Sequence, residues 1–454
     1  VKGVLRDELI AIRDKYGDDR KTEIQDVEDE IDIEDLIEEE TCCYTLSSQG
    51  YIKRMAVDTY RAQKRGGGKT EMLLSEIEEF LPAEGAGADY EENVAADAID
   101  DFLETLKKAK ERGIEQIVVI GMSAKETIPE FLNKVRAMVE QSRDYVNIYE
   151  LGNEPNNFGQ WRQTFRHNGR DGSWNGYESD GTVSEWVRKH VEYTNAGADL
   201  IKKIAPDKTV IGLGSNTPTN FHALNLGVSP QLDGVVDHPY TYSLPPEKVP
   251  FGWNLAERDG IRVGDAENTF AGLIGSYREQ FRKTGKMRTV WITEFGFTGF
   301  WFDGKNETGL YAGFTEEAQA VYLVRRFIEG LALPVAVSCQ YDFLDDYGSG
   351  EHDAESNFGL LRADYSRKPA FYAVRRMNML LHNAQPDPAA KVKVTAAPLH
   401  RSAQRGELIR DWDKQSIAAE NGVRAYAFSD PAAPRERMLA VWSMQPYGRE
   451  FHNR

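Results

Sequence analysis

The chain has 454 residues, 41% hydrophobic and 28% charged, the balance of a soluble globular protein long enough for two or more domains. No run of eighteen apolar residues occurs, so no membrane span is expected. The formal net charge of −18 argues against nonspecific nucleic-acid binding by the whole protein and fits a neutral substrate such as a glycan. Three cysteines (Cys42, Cys43 and Cys339) make neither a disulfide framework nor a Cys-x-x-Cys zinc spacing, and no metal or cofactor is expected.

The first residues, Val1 to Glu8, contain no apolar signal core; the chain as it stands reads as cytoplasmic, and its location is left open. They also lack an initial Met, as a fragment would. Leu5, Leu9, Ile12 and Tyr16 recur at helical spacing, and Gly17 closes that helix. Residues 1–40 carry 6 Lys/Arg and 16 Asp/Glu, a net of −10. Residues 41–69 reverse the sign, with 6 Lys/Arg against Asp58 alone, a net of +5. Within them, Cys42–Leu46 and Tyr51–Met55 flank Ser47-Ser48-Gln49-Gly50, the pattern of a β-hairpin.

Asp32-Ile33-Glu34-Asp35-Leu36-Ile37, Thr45-Leu46-Ser47, Gln49 to Arg54 and Asp58 to Gly67 resemble the A subunit of DNA gyrase, outside its DNA-cleaving tyrosine region. The likeness covers about 68 residues, at the end of that chain's coiled-coil arm and the start of its DNA-wrapping propeller. Gln63-Lys64-Arg65-Gly66-Gly67-Gly68-Lys69 is similar to its box motif, with one glycine too many. The resemblance implies weak DNA binding through residues 41–69. A single blade lacks neighbours that bury its faces, so an appendage is expected. Gly68-Lys69-Thr70 imitates the tail of a phosphate loop, but Gln63 stands where its first glycine belongs, so a basic turn is the better reading.

Residues 71–92 are polar and rich in Gly, Ala and Glu, as in a linker. From Asn93 the pattern becomes regular. A helix closed by Gly113 precedes the apolar strand Ile117–Gly121, and Thr127 with Glu130 forms a capping box for the next helix. Further apolar strands end near Glu154, Leu213, His238, Glu294 and Asp342, separated by helices at 184–204, 270–281, 315–331 and 369–381. Six strands alternating with helices predict an α/β fold with a parallel sheet whose candidate residues lie on the C-terminal rim. Beyond about residue 390, Arg424–Phe428 and Met438–Ser443 read as strands of a small β unit.

Two of those strands end in carboxylates. Tyr149-Glu150-Leu151-Gly152-Asn153-Glu154-Pro155 runs from an apolar stretch into an Asn-Glu pair, and Pro155 forbids further strand pairing. Val290-Trp291-Ile292-Thr293-Glu294 repeats the arrangement. Two carboxylates at two strand ends are what glycosidic cleavage needs. Either alone reads as a loop carboxylate or a strand-end salt bridge; the matched pair points to catalysis.

Asn153-Glu154-Pro155, His238-Pro239-Tyr240, Thr293-Glu294-Phe295-Gly296 and Tyr341-Asp342 with Asn357-Phe358-Gly359-Leu360 resemble the retaining glycoside hydrolases built on (β/α)8 barrels. The likeness spans about residues 93–385. It implies a carbohydrate substrate, Glu154 as general acid/base and Glu294 as nucleophile, with Asn153 on the sugar 2-hydroxyl and Tyr240 donating to Glu294. An acid in that role must keep its proton, so a raised pKa is expected for Glu154 and an ionised carboxylate for Glu294. His238, Tyr341 and Asp342 would line the site, and His238 reads equally well as a satisfied strand-end histidine. Trp161, Trp174, Tyr242, Trp253 and Trp301 follow strands, where aromatic rings stack on sugar faces. For any one tryptophan simple loop packing is the better reading, while from the set at least one sugar platform is expected. Asp345, Asp346, Glu351, His352, Asp353 and Glu355 fit no ligand template and read as a solvated loop.

The chain departs from the clan in lacking two strands before the helix at Asn93, and no arginine matches the one the clan supplies beside its nucleophile. The expected architecture is therefore a gyrase-like fragment (1–70), a linker (71–92), an incomplete (β/α)8 barrel (93–385) and a small C-terminal β unit (386–454).

Overall fold

The computed structural model describes residues 96–250, 259–300, 313–345, 352–387 and 423–444, a few single residues between them, and three short strands nearer the N-terminus. The chain divides into two compact units, Val1–Thr41, which lies outside the described residues together with its expected helix, and Cys42–Arg454. β1 (Cys42–Leu46) and β2 (Ile52–Ala56) pair antiparallel with Cys42 opposite Ala56, as the hairpin pattern predicts. β3 (Thr70–Met72), expected as the end of a basic turn and the start of a linker, instead adds a third strand to β1.

Six strands form one parallel sheet in sequence order: β4 (Ile117–Ile120), β5 (Ile148–Leu151), β6 (Thr209–Gly212), β7 (Gly234–Val236), β8 (Thr289–Ile292) and β9 (Val335–Ser338). The helices among the described residues are α1 (Ala96–Glu111), α2 (Ile128–Ser142), α3 (Trp161–Thr164), α4 (Glu185–Ile204), α5 (Thr217–Leu226), α6 (Phe270–Lys283), α7 (Glu316–Ala332) and α8 (Pro369–Leu381). Local chemistry sets their ends. Thr127 and Glu130 form the reciprocal capping box of α2, while Thr269 and Thr315 accept from Gly272 and Ala318 at the starts of α6 and α7. α7 stops just before Leu333-Pro334, because a residue before proline is pushed out of the helical region.

Side-chain parity divides the sheet into two faces. Tyr149, Leu151, Val210, Val235, Val290 and Ile292 belong to the large core shared with the helices. Their neighbours Ile148, Ile211, Val236, Trp291 and Val337 form a separate apolar cluster on the opposite face. That second face is the interior of the sheet. Two residues further along, four of these five strands carry Glu150, His238, Thr293 and Cys339 into the next layer, whereas the β6 strand continues to Leu213 in the large core.

At the C-terminal end, β10 (Gln385–Pro386), β11 (Val423–Asp430) and β12 (Ala433–Ser443) make an antiparallel sheet. Phe428 is fully buried against Leu331 and Ala384. Polar bonds fasten the same contact. Arg424 Nε and Tyr426 Oη reach Glu329 Oε1 at 3.0 and 2.9 Å, while Trp442 Nε1 donates to Glu247 Oε1 at 2.5 Å. This β unit is docked on α7.

Candidate active site

The turn after β5 presents Glu154. Its backbone sits at φ +37°, in the left-handed region that non-glycine residues rarely occupy, and Gly152 precedes it at φ +79°. Three backbone bonds hold the turn: Glu154 N–H donates to Gly214 O at 2.9 Å, and Glu154 O accepts from Asn157 and Phe158 at 2.7 and 2.9 Å. Asn156 braces it from below, accepting from Ser215 Oγ at 2.8 Å and Asn216 N at 3.1 Å. Glu294 follows β8, where Phe295 N–H bonds Cys339 O at 3.2 Å and ties the β8 end to β9.

The two carboxylates converge on His238. Its Nδ1 lies 3.0 Å from Glu154 Oε1 and 3.5 Å from Glu294 Oε2, and one oxygen of each glutamate lies within 4.8 Å of the other. His238 Nε2 meets Thr293 Oγ1 at 2.9 Å, and that hydroxyl is 3.3 Å from Glu150 Oε1. Tyr240 Oη donates to Glu294 Oε2 at 2.9 Å, and Asn157 Nδ2 donates to Glu154 Oε2 at 2.8 Å. Trp174 Nε1 in turn donates to Asn157 Oδ1 at 2.8 Å. The donors of Glu154, His238 and Glu294 are close enough to surround a cation. His238 presents Nδ1 to both carboxylates and Nε2 to Thr293.

Burial alone would lower the His238 pKa, but the charges of Glu294, Glu154 and Glu150 and the bond to Glu154 push it up to about 9. The imidazole is a cation at neutral pH. Burial raises the Glu154 carboxyl, yet the His238 bond and charge and the Asn157 bond outweigh it and set the group below the ordinary value. Glu294 is raised, first by burial and then by Glu154, with His238 and Tyr240 opposing. Glu150, fully enclosed, is pushed up to about 7 by burial, with Glu294 adding to it. The expectation of an elevated acid and a readily ionised nucleophile is therefore reversed in this resting site. The cause is that His238 sits closer to Glu154 than to Glu294.

Of the expected site residues, Glu154, Glu294, His238 and Tyr240 come together directly. Asn153 is half-buried beside Glu154 in the same turn. Tyr242, at φ +57°, packs edge-on against Tyr311 with ring centroids 5.2 Å apart, and Tyr311 packs on Tyr240 at 6.3 Å. Tyr341 follows β9, donates its N–H to Phe295 O at 2.8 Å and packs on Phe358 at 5.4 Å; the Tyr341–Asp342 peptide is cis. Trp253 and Trp301 lie outside the described residues.

Trp161 is a packing residue, 1% exposed against His190 and Tyr193, and takes no part in a sugar platform. One reading changes. Asp345 is not solvated; it is buried and paired with Lys368 Nζ at 2.7 Å, while Asp353 accepts from Ser356. Sequence reasoning missed Asn157, Glu150 and Thr293 as site residues. The signal for the last two was their parity with the apolar interior positions Ile148 and Trp291.

No protein-family model matches the chain. An N-terminal stretch is 48% identical over 81 residues to the gyrase A chain of Clostridium acetobutylicum, covering 18% of this chain and 10% of that one. The Staphylococcus aureus gyrase A chain is 51% identical over 83 residues, covering 17% and 9%. Among solved structures, a family 39 glycoside hydrolase from the gut symbiont Bacteroides cellulosilyticus WH2 superposes with a TM-score of 0.50 at 19% identity, covering 78% of this chain and 61% of that one. The fold is that of an incomplete (β/α)8 barrel. The chain thus spans about a tenth of the gyrase chains it matches and under two thirds of the hydrolase.

Proposed function

We propose that the barrel, about residues 93–385, is a retaining glycoside hydrolase cleaving β-glycosidic bonds of an oligo- or polysaccharide, with Glu154 as acid/base and Glu294 as nucleophile. The observation that carries this reading is the approach of two strand-end carboxylates to within 4.8 Å, with one buried histidine between them. Retaining enzymes need carboxyl groups about 5–5.5 Å apart, whereas inverting ones leave a wider gap for water. Glu294 would attack the anomeric carbon as Glu154 protonates the departing oxygen, and Glu154 would then take the proton of the incoming water. Tyr240 holds the nucleophile's oxygen in place. Glu154 would draw the proton it must deliver from His238 Nδ1, which lies one hydrogen bond away. Asn153 would meet the sugar 2-hydroxyl, and Tyr242, Trp253, Trp301, Tyr341 and Asp342 are proposed to line the sugar subsites.

A panel of aryl β-glycosides and β-glucans tests the reading. Hydrolysis of at least one member, lost in both Glu154→Ala and Glu294→Ala, is expected. Binding of glycans with no turnover would instead favour an inactive glycan-binding barrel.

The gyrase likeness favours a second activity at the other end of the chain. Residues 41–69, net positive while the protein is net negative, are proposed to contact duplex DNA weakly. Salt-sensitive binding that disappears on deleting residues 1–69 would support it, and binding that persists without them would refute it.

A further inference from the structure

Glu150 points into the sheet interior one layer beneath the two candidate catalytic glutamates, 2% exposed, in a place where a charged group is costly unless it has a purpose. We propose that Glu150 and Thr293 form a proton relay behind His238, so that a single proton is shared between Glu150 at the inner end and the acid Glu154 at the outer end. The idea rests on the glycosidase reading for its use, but its parts are independent of it.

The donor and acceptor inventory fixes three arrangements with the same number of protons. In the first, His238 is a cation: Nδ1–H donates to Glu154, Nε2–H donates to Thr293, and the Thr293 hydroxyl donates to an ionised Glu150. In the second, the proton moves inward. Nε2 loses its hydrogen to Thr293 Oγ1, Thr293 passes its own to Glu150, and both hydrogen bonds reverse without any heavy atom changing partner. In the third, the proton moves outward: the Nδ1–H bond breaks, Glu154 becomes the carboxylic acid, and His238 remains neutral with Nε2–H. The links are 3.3, 2.9 and 3.0 Å from inside to outside, the innermost being the longest.

The relay explains how an acid whose carboxyl is depressed at rest can still deliver a proton. The proton that the leaving oxygen takes from Glu154 has come from His238 Nδ1, so the step leaves His238 neutral with Nε2–H on Thr293, Glu150 ionised behind it, and Glu154 again the carboxylate that can take the proton of the incoming water. Proton affinity rises from Glu150, near 7, to His238, near 9, and drops at Glu154, so at rest the shared proton sits on the imidazole. Other titratable groups lie around it. Asp237, next to His238 in the chain, turns to the opposite face of the sheet, where it is bonded to Tyr277 and Thr217 and raised to about 6 by burial. Tyr240 lies on the loop beyond, Glu294 follows β8, Cys339 ends β9 with its thiol pushed up to about 12, and Tyr311 and Glu355 lie at the rim. None of these bonds His238 Nε2; Thr293 does.

The test follows the His238 ring nitrogens by 15N NMR across pH 5 to 10 in the wild-type chain, Glu150→Gln, Thr293→Val and Thr293→Ser. The wild type is expected to show two steps, one near 7 reporting Glu150 and one near 9. Glu150→Gln removes the first and moves the second to lower pH, Thr293→Val uncouples Nε2 from the first step, and Thr293→Ser restores it. On a substrate with a poor leaving group, Thr293→Val is expected to lose on the order of tenfold in kcat, recovered by Ser. If His238 titrates identically in Glu150→Gln and wild type, the relay is wrong. The NMR result stands whether or not hydrolysis is found, so failure of the relay and failure of the glycosidase reading are separable. Should Glu150→Gln not fold, the Val and Ser pair at Thr293 decides the matter alone.

Discussion

Glu154 Oε1 and His238 Nδ1 are joined at 3.0 Å across 84 residues of sequence, and the bond and charge of that histidine, with the Asn157 bond, outweigh burial and hold the Glu154 carboxyl below its ordinary value. Removing the cation should therefore act on Glu154 before anything else. In His238→Gln the Glu154 carboxyl loses the bond and charge that hold it down, so its pKa rises. The limb of the pH–kcat/KM profile that tracks Glu154 is expected to move upward. An unmoved limb would show that His238 does not set the protonation of Glu154.

Glu154→Gln keeps the shape of the turn but has no proton to give. General acid–base catalysis contributes about 10²–10⁴-fold, so hydrolysis of a poor leaving group should fall by that order. Dinitrophenyl glycosides, which leave without protonation, should lose much less in their first step. Equal losses on both substrate types would remove Glu154 from the acid role.

Tyr240→Phe tests the nucleophile. The tyrosine hydroxyl favours ionised Glu294, which is otherwise raised by burial. Without it the Glu294 pKa goes up, and because attack needs the anion, the acidic limb of kcat/KM moves to higher pH. A pH-rate series on the two proteins checks the direction.

The pair beneath the C-terminal sheet should be costly to break. Arg325 and Glu247 are 8% and 0% exposed and doubly bonded at 2.7 and 2.5 Å, with Trp442 on the same carboxylate. Glu247→Gln leaves the guanidinium buried without its counter-charge, a loss of about 3–5 kcal/mol in such pairs. Urea unfolding measures it, and a change below about 1 kcal/mol would mean that the pair is replaceable.

His190 gives a pH signature of stability. Buried beside Trp161 without a partner for Nε2, its pKa is pushed down to about 3 by burial. Between pH 6.5 and 3 the unfolded chain binds this proton and the folded chain does not, so stability falls as pH drops through that window. His190→Gln should flatten the slope there, whatever it does to stability at neutral pH. A slope unchanged in the variant would place the acid sensitivity elsewhere.

How much of this was legible in the sequence depends on which residues carry a local signal. The strands ending at Glu154, His238 and Glu294 announce themselves, because apolar runs stop at Pro155, Pro239 and a glycine-bearing turn. The Thr127–Glu130 box was readable for the same reason. α5 was not: Thr217 to Leu224 are buried on every side, so no polar face marks its period. Glu150 and Thr293 look like any strand residues, and their meeting depends on register between β5 and β8, strands that are not adjacent. Trp161 follows a strand as a sugar platform would, yet α4 packs over it through His190 and Tyr193.

The central claim is that Glu294 attacks the sugar while Glu154 serves it with a proton. A 2-deoxy-2-fluoro aryl β-glycoside slows both steps and lets the covalent intermediate accumulate, so peptide mass spectrometry after trapping reads the nucleophile directly. The account predicts one fluorosugar per chain, carried by the peptide containing Glu294 and absent in Glu294→Ala. A label on another residue, or rapid turnover with inversion at the anomeric carbon and no adduct, would contradict it.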